Sequence, residues 1–134
     1  MNFSKLLIVL TALIFLIYGV LFTLFPISLL DLVVNGAVTS ASGVIDMRAT
    51  YGGMSFAVGC ILLVLAKSAD TIKTGLMSVF LLMCCMATGR FIGICVDQNA
   101  NAVMYVYLIL EVIVAVLSVL LLNVQPKFEA RSND

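Results

Sequence analysis

The sequence predicts an all-α polytopic membrane protein, a bundle of four transmembrane helices with a short interfacial helix in the first outer loop. Three observations carry that prediction. Of the 134 residues, 63% are hydrophobic and only 10% are charged, and the mean hydropathy is +1.24; a soluble domain carries about 25% charged residues. Four apolar runs each approach the roughly 20 residues that a helix needs to cross a hydrocarbon core. Between the runs, short polar clusters read as helix ends. The chain is too short for more than one compact unit, so residues 1–134 form a single membrane domain.

The first span is read at 6–25. Lys5 precedes it, and its apolar run is longer than the roughly 7–15 residues of a signal-peptide core, with no small-x-small cleavage site at its end. It is therefore expected to be retained, and Pro26 stops it. Ile27–Asn35 then places Ser28, Asp31 and Asn35 on one helical face, as suits an amphipathic helix lying in the interface and ended by Gly36. Ala37–Gly43 is small-residue-rich and reads as a flexible connector.

The second span is read at 49–66, the third at 74–96 and the fourth at 102–124. Lys67-Ser68-Ala69-Asp70 separates the second from the third, with Asp70 placed to cap. Asp97 to Asn101 separates the third from the fourth, with Asn101 as the expected N-cap. Pro126 follows the last span, and 125–134 reads as a solvated cytoplasmic tail. Lys5, Lys67, Lys73, Lys127 and Arg131 fall on one side of the membrane, and Arg48 and Arg90 toward the other. Lys and Arg accumulate on the cytoplasmic side, so both termini are expected there.

Several function classes lose their footing. With net charge zero and no basic block, the counterion release that drives nucleic-acid binding has no footprint. The chain has no histidine, which removes the commonest general base and metal ligand. Cys60, Cys84, Cys85 and Cys95 sit in apolar runs without zinc-ligand spacing or an activating partner; they read as small packed hydrophobes. No catalytic residue, metal ligand or cofactor is assigned, and the protein is expected not to be an enzyme. Inverted repeats and broken helices of the usual transporter kind are absent too.

Charges inside the spans are the informative feature, because an ionised group in hydrocarbon must find a partner or line a pathway. At a rise of about 1.5 Å per residue, Arg90 lies roughly 10 Å below the outer edge, seven positions before Asp97. Glu111 follows Asn101 by ten positions, roughly 15 Å down. Side chains lean toward their own helix N-terminus, so these two converge, and an Arg90–Glu111 ion pair is expected. Arg48 opens the second span and leans outward, with Asp46 in the same turn to complement the helix dipole.

Polar stripes continue from these charges: Tyr107, Glu111, Ala115 and Ser118 on the fourth span, and Arg48, Tyr51, Gly52, Ser55 and Gly59 on the second. On the third, Met83, Met86, Ala87, Arg90 and Asp97 share a side. Tyr18 and Thr11 add hydroxyls from the first. Together they predict a small, partly polar cavity in the outer half, with Arg48, Tyr51, Arg90, Tyr107 and Glu111 as candidate ligand-binding residues. Two ridges of small residues, Ala49-Gly53-Ala57 and Gly89-Gly93, permit close helix approach, inside the bundle or between the subunits of a homo-oligomer.

The string Asp46-Met47-Arg48-Ala49-Thr50-Tyr51-Gly52-Gly53, with Gly59 following, resembles the motif of a family of small bacterial four-helix membrane proteins labelled only as a domain of unknown function. Arg90, Gly93, Asp97 and Glu111 match its later pattern, while Gln98 stands where a glycine is common. The resemblance implies the four-helix fold and a bacterial inner-membrane location, and no activity.

The expected role is thus a non-enzymatic membrane protein that binds a small amphiphilic, lipid-like or anionic molecule in its outer-half cavity, in association with transport. Arg48 and Arg90 would attract the anionic group, Glu111 would orient Arg90, and Tyr51 and Tyr107 would donate hydrogen bonds. The alternative is a structural or accessory subunit that packs through its glycine ridges against a larger membrane complex. Apart from the lipid bilayer, no obligate partner is implied.

Overall fold

The computed structural model describes residues 3–131, with residues 125–131 described by their backbone alone. Helix α1 (Phe3–Leu24) ends where the sequence places a proline. Pro26 excludes its predecessor from the helical region, and Phe25 accordingly sits at φ −126°, ψ 52°. Pro26 then opens α2 (Pro26–Val34), where a missing N–H costs nothing. Asn35, not Gly36, ends α2: it adopts a left-handed φ of 53° and gives its N–H to the Asp31 carbonyl at 2.9 Å. Asparagine is among the few residues with a side chain that visit this conformation routinely. Ser28 and Asp31 face outward, while Pro26 and Val33 are buried.

The second span starts eight residues earlier than the sequence suggests. Ser40 caps it by accepting a hydrogen bond from the Gly43 N–H at 3.1 Å, so the last part of the expected connector is helix. The span runs unbroken from Ala41 to Leu65 as α3 (Ala41–Met47), a π-helical stretch (Arg48–Met54) and α4 (Ser55–Leu65). Arg48 therefore lies two turns into the span instead of opening it. Asp46 sits beside the Thr50 hydroxyl at 3.5 Å, away from any helix N-terminus.

A 3-10 turn (Ala69–Thr71) reverses the chain. Its hydroxyl clamp is Thr71, which donates toward the carbonyls of Leu65 at 2.7 Å and Ser68 at 3.0 Å. Asp70 lies within the turn and caps nothing. Helix α5 (Ile72–Asp97) follows, ended by Gln98 and Asn99, both at positive φ. Asn101 then caps α6 (Ala102–Arg131), its side-chain oxygen accepting from the Met104 N–H at 3.1 Å. The α6 backbone passes Pro126 as helix. The side chains of Lys127 and Arg131, and the polar character expected of 125–134, lie outside the described residues.

The four spans form two antiparallel hairpins, α1 with the second span and α5 with α6. In the first hairpin the backbones nearly touch. A Cβ on Gly19 would lie 2.5 Å from the Phe56 nitrogen, and one on Gly52 would meet Thr23. A Cβ on Gly59 would lie 2.8 Å from the Ala12 carbonyl oxygen. The packed ridge is thus Gly52-Ser55-Gly59 and not the expected Ala49-Gly53-Ala57, whose members are all exposed. Gly53 meets only the Arg48 carbonyl, at 3.9 Å, and nothing lies within 4 Å of a Cβ on Gly89. Both expected ridges point away from the bundle. So do Cys60, Cys85 and Cys95, which are exposed instead of packed.

The apolar core joins the hairpins in the half away from α2, where Ile8, Ala12, Leu62, Leu76, Val79, Met83 and Ala115 interlock. The Thr11 hydroxyl falls here and turns back to the Leu7 carbonyl at 2.9 Å. Ser118 does the same with Val114 at 2.8 Å. The outer surface of the spans is densely apolar (Ile14, Ile17, Ile61, Ile109 and Val116 are all more than half exposed), as a helix requires when its solvent is hydrocarbon.

Candidate functional site

Toward the α2 end the interior changes character. Phe22 and Val33 are the buried large apolar residues there among the described residues; the space between the hairpins is otherwise taken by phenols and one ion pair. α5 runs toward this end and α6 away from it, so the lean of each side chain brings Arg90 and Glu111 to one level.

The guanidinium meets the carboxylate side-on. Arg90 Nη2 lies 2.7 Å from Glu111 Oε1, and Nε lies 3.1 Å from both carboxylate oxygens. Glu111 is almost fully buried, and the Arg90 side chain is 18% exposed. Two further contacts hold the guanidinium. Tyr107, one turn before Glu111 on α6, lies under it with 5.1 Å between Cζ and the ring centroid, within the range in which a ring face attracts a cation. Nη1 points at the Met104 sulfur at 3.2 Å.

Nε–H is shared by the carboxylate oxygens, and one N–H each on Nη1 and Nη2 is engaged. Each Nη therefore keeps one N–H without a partner among the described residues. No buried side-chain nitrogen or oxygen among those residues lacks a hydrogen bond altogether.

The other hairpin contributes an aromatic wall. Tyr18 and Phe22 of α1 pack at 4.6 Å between ring centroids, and Phe22 stacks on Tyr51 at 5.4 Å. Tyr18 interacts electrostatically with Tyr107, Tyr51 and Arg90, so the wall lies near the ion pair. Tyr51 keeps 43% of its surface exposed and belongs to the rim.

Arg48 is not part of this cluster. It is exposed, and its Nη1 donates to the Thr23 carbonyl near the end of α1, where helix carbonyls lack an intrahelical partner. Two open apolar grooves lie on the outer faces, one lined by Val58, Ile61, Leu62, Ser78 and Leu82, the other by Leu16, Ile17, Val20 and Leu21, and none of the five candidate residues lines either. Of the two guanidiniums expected at the site, that of Arg90 meets Glu111 and Tyr107, while that of Arg48 reaches the Thr23 carbonyl.

Arg48 and Gly52, four positions apart on the second span, both meet Thr23 of α1. Gly52, Ser55 and Gly59 are buried, whereas Arg48 is exposed and reaches only the end of α1. On α5, Met83 and Ala87 share the inward side with Arg90, while Met86 and Asp97 are exposed.

Sequence reasoning missed two members of the site. Met104 was detectable, standing three residues before Tyr107 on the same stripe. Asn101 has a second role that its capping pattern does not reveal: its side-chain nitrogen donates to the Val33 carbonyl at 2.9 Å, pinning α2 over the cluster.

The model of DUF4345, a domain of unknown function, matches residues 3–122. This chain belongs to the DUF4345 family. No curated protein and no solved structure matches it. Within this DUF4345 chain the family region takes in the whole cluster, together with Arg48 and Tyr51. The string from Asp46 to Gly53 that carries the family resemblance contains most of the π-helical stretch. In this DUF4345 protein, then, the recognisable motif builds the hairpin and the rim, while the ion pair comes from the opposite hairpin.

Proposed function

We propose that this DUF4345 protein is a non-enzymatic protein of the bacterial inner membrane, with both termini cytoplasmic, that holds a small amphiphilic molecule at the Arg90–Tyr107–Glu111 cluster. One observation carries the reading: Arg90 is locked by Glu111 and lies over the Tyr107 ring, yet retains two N–H groups without partners among the described residues on an 18% exposed side chain. A purely structural arginine at this depth would be expected to spend all of its donors on the bundle, since hydrocarbon supplies no substitute. Arg48, at the rim, is left with an outer role near the lipid head groups.

The test is native mass spectrometry of protein purified in mild detergent. The wild type should retain a bound amphiphile, and Arg90→Gln should release it while Arg48→Gln does not. A wild type with no adduct, or one whose adducts are indifferent to Arg90→Gln, overturns the reading.

A second reading is supported by a different observation, the open space around Gly89. Small residues exposed to lipid are where another helix approaches most closely, which suits an accessory subunit or a homo-oligomer. Gly89→Leu should then release a stoichiometric partner or a second copy on size-exclusion chromatography. An unchanged elution profile counts against it.

A further inference from the structure

The charge balance of the cluster narrows what it can hold, given the amphiphile-binding reading on which this inference rests. Among the described residues, Arg90 and Glu111 are the only ionisable groups, apart from the phenols, that meet there. Their sum is zero. Arg48, the second cation expected at the site, is committed to the Thr23 carbonyl. A ligand bearing a full negative charge would leave the site one charge in deficit at membrane depth, where an uncompensated ion costs several kcal/mol. A cation would leave the opposite excess.

An uncharged acceptor incurs neither cost. It receives charge-assisted hydrogen bonds from the guanidinium, the stronger class of such bonds, and leaves the ion pair neutral. Because Nε and Nη2 both engage Glu111, the remaining Nη2 N–H lies on the edge turned away from the carboxylate. An oxygen can approach that edge without displacing Glu111.

We infer that the site selects a bilayer-soluble amphiphile whose polar end is an uncharged carbonyl or ester, and that Glu111 acts as the selectivity residue that rejects anions. Depth supports the same choice. Seven residues separate Arg90 from the end of α5, about 10 Å along the axis, below the plane of phospholipid phosphates. Polar groups of uncharged lipids reach that level at little cost.

The experiment compares two probes with one tail, monoolein and oleate, added to the protein reconstituted in phosphatidylcholine vesicles in alkaline buffer, where the fatty acid is ionised. Binding is read by tyrosine fluorescence, which no tryptophan obscures, and by the shift in unfolding temperature. Monoolein should bind at least about tenfold more tightly, a ratio equivalent to 1.4 kcal/mol. Glu111→Gln, which keeps the shape and an acceptor oxygen but removes the charge, should reverse the order in favour of oleate.

Equal binding of the two probes by the wild type overturns the charge selection and leaves amphiphile binding standing, as does a Glu111→Gln protein that folds and keeps the wild-type order. Failure of both probes on a wild type that also carries no adduct in mass spectrometry overturns both readings. The wild-type comparison needs no variant, so a misfolded Glu111→Gln protein does not rescue the inference.

Discussion

Arg90 and Glu111 show how little freedom hydrocarbon leaves an ionised side chain. Removing one partner strands the other, and breaking a buried pair this way costs about 3–5 kcal/mol. Replacing both by apolar residues of similar size is often neutral. Glu111→Ala should therefore destabilise the protein by that amount, and Arg90→Ala by less, because a neutral, protonated Glu111 is cheaper to bury than an unpaired guanidinium. The double variant Arg90→Met/Glu111→Leu should lie within about 1 kcal/mol of wild type. Unfolding by denaturing detergent, followed by circular dichroism, measures all three, and additive losses in the double variant would show that the two residues act independently. This pair was legible from residue spacing, since depth and side-chain lean follow from helix geometry. The placement of Arg48 was not: its hydrogen bond to the Thr23 carbonyl is a contact between two helices, which spacing along one span does not fix.

At the scale of elements, the four spans were readable because a bilayer fixes the length of an apolar run. Their ends were less so. The second span begins at Ser40 because a hydroxyl there caps the helix, though Ala37–Gly43 has the small-residue composition of a loop. The packing faces were the least legible, because Gly52 and Gly53 are neighbours and the pattern offers two candidate ridges. The structure separates them sharply. Gly19→Ala would drive a Cβ to 2.5 Å from the Phe56 nitrogen, backbone that cannot step aside, and overpacking of this kind costs about 1–3 kcal/mol. Gly89→Ala adds a methyl where nothing lies within 4 Å, and should be neutral or up to about 1 kcal/mol stabilising through helix propensity. Thermal unfolding in detergent checks the contrast; a Gly89→Ala variant as damaged as Gly19→Ala would mean that α5 packs against something through that face.

For the whole molecule, an even number of spans puts both termini on one side, and the cytoplasmic placement proposed for them rests on the charge distribution. The end opposite α2 carries Lys5, Lys67 and Lys73, with Lys127 and Arg131 following in sequence, whereas the α2 end exposes Arg48. Acidic residues contribute little to orientation, so Asp31, Asp46 and Asp97 do not offset that bias. Arg90, paired within the bundle, should not count as a loop charge. This predicts a graded response. Lys67→Gln/Lys73→Gln leaves three basic residues against one, and a C-terminal fluorescent-protein fusion should stay bright while an alkaline phosphatase fusion stays inactive. Adding Ser28→Lys and Thr39→Lys, both at exposed positions, equalises the two sides at three each, and both reporters should then register mixed orientation. If the quadruple variant kept a single orientation, the lysines would not be what orients this bundle, and the first span or the Arg90–Glu111 pair formed during insertion would have to do so.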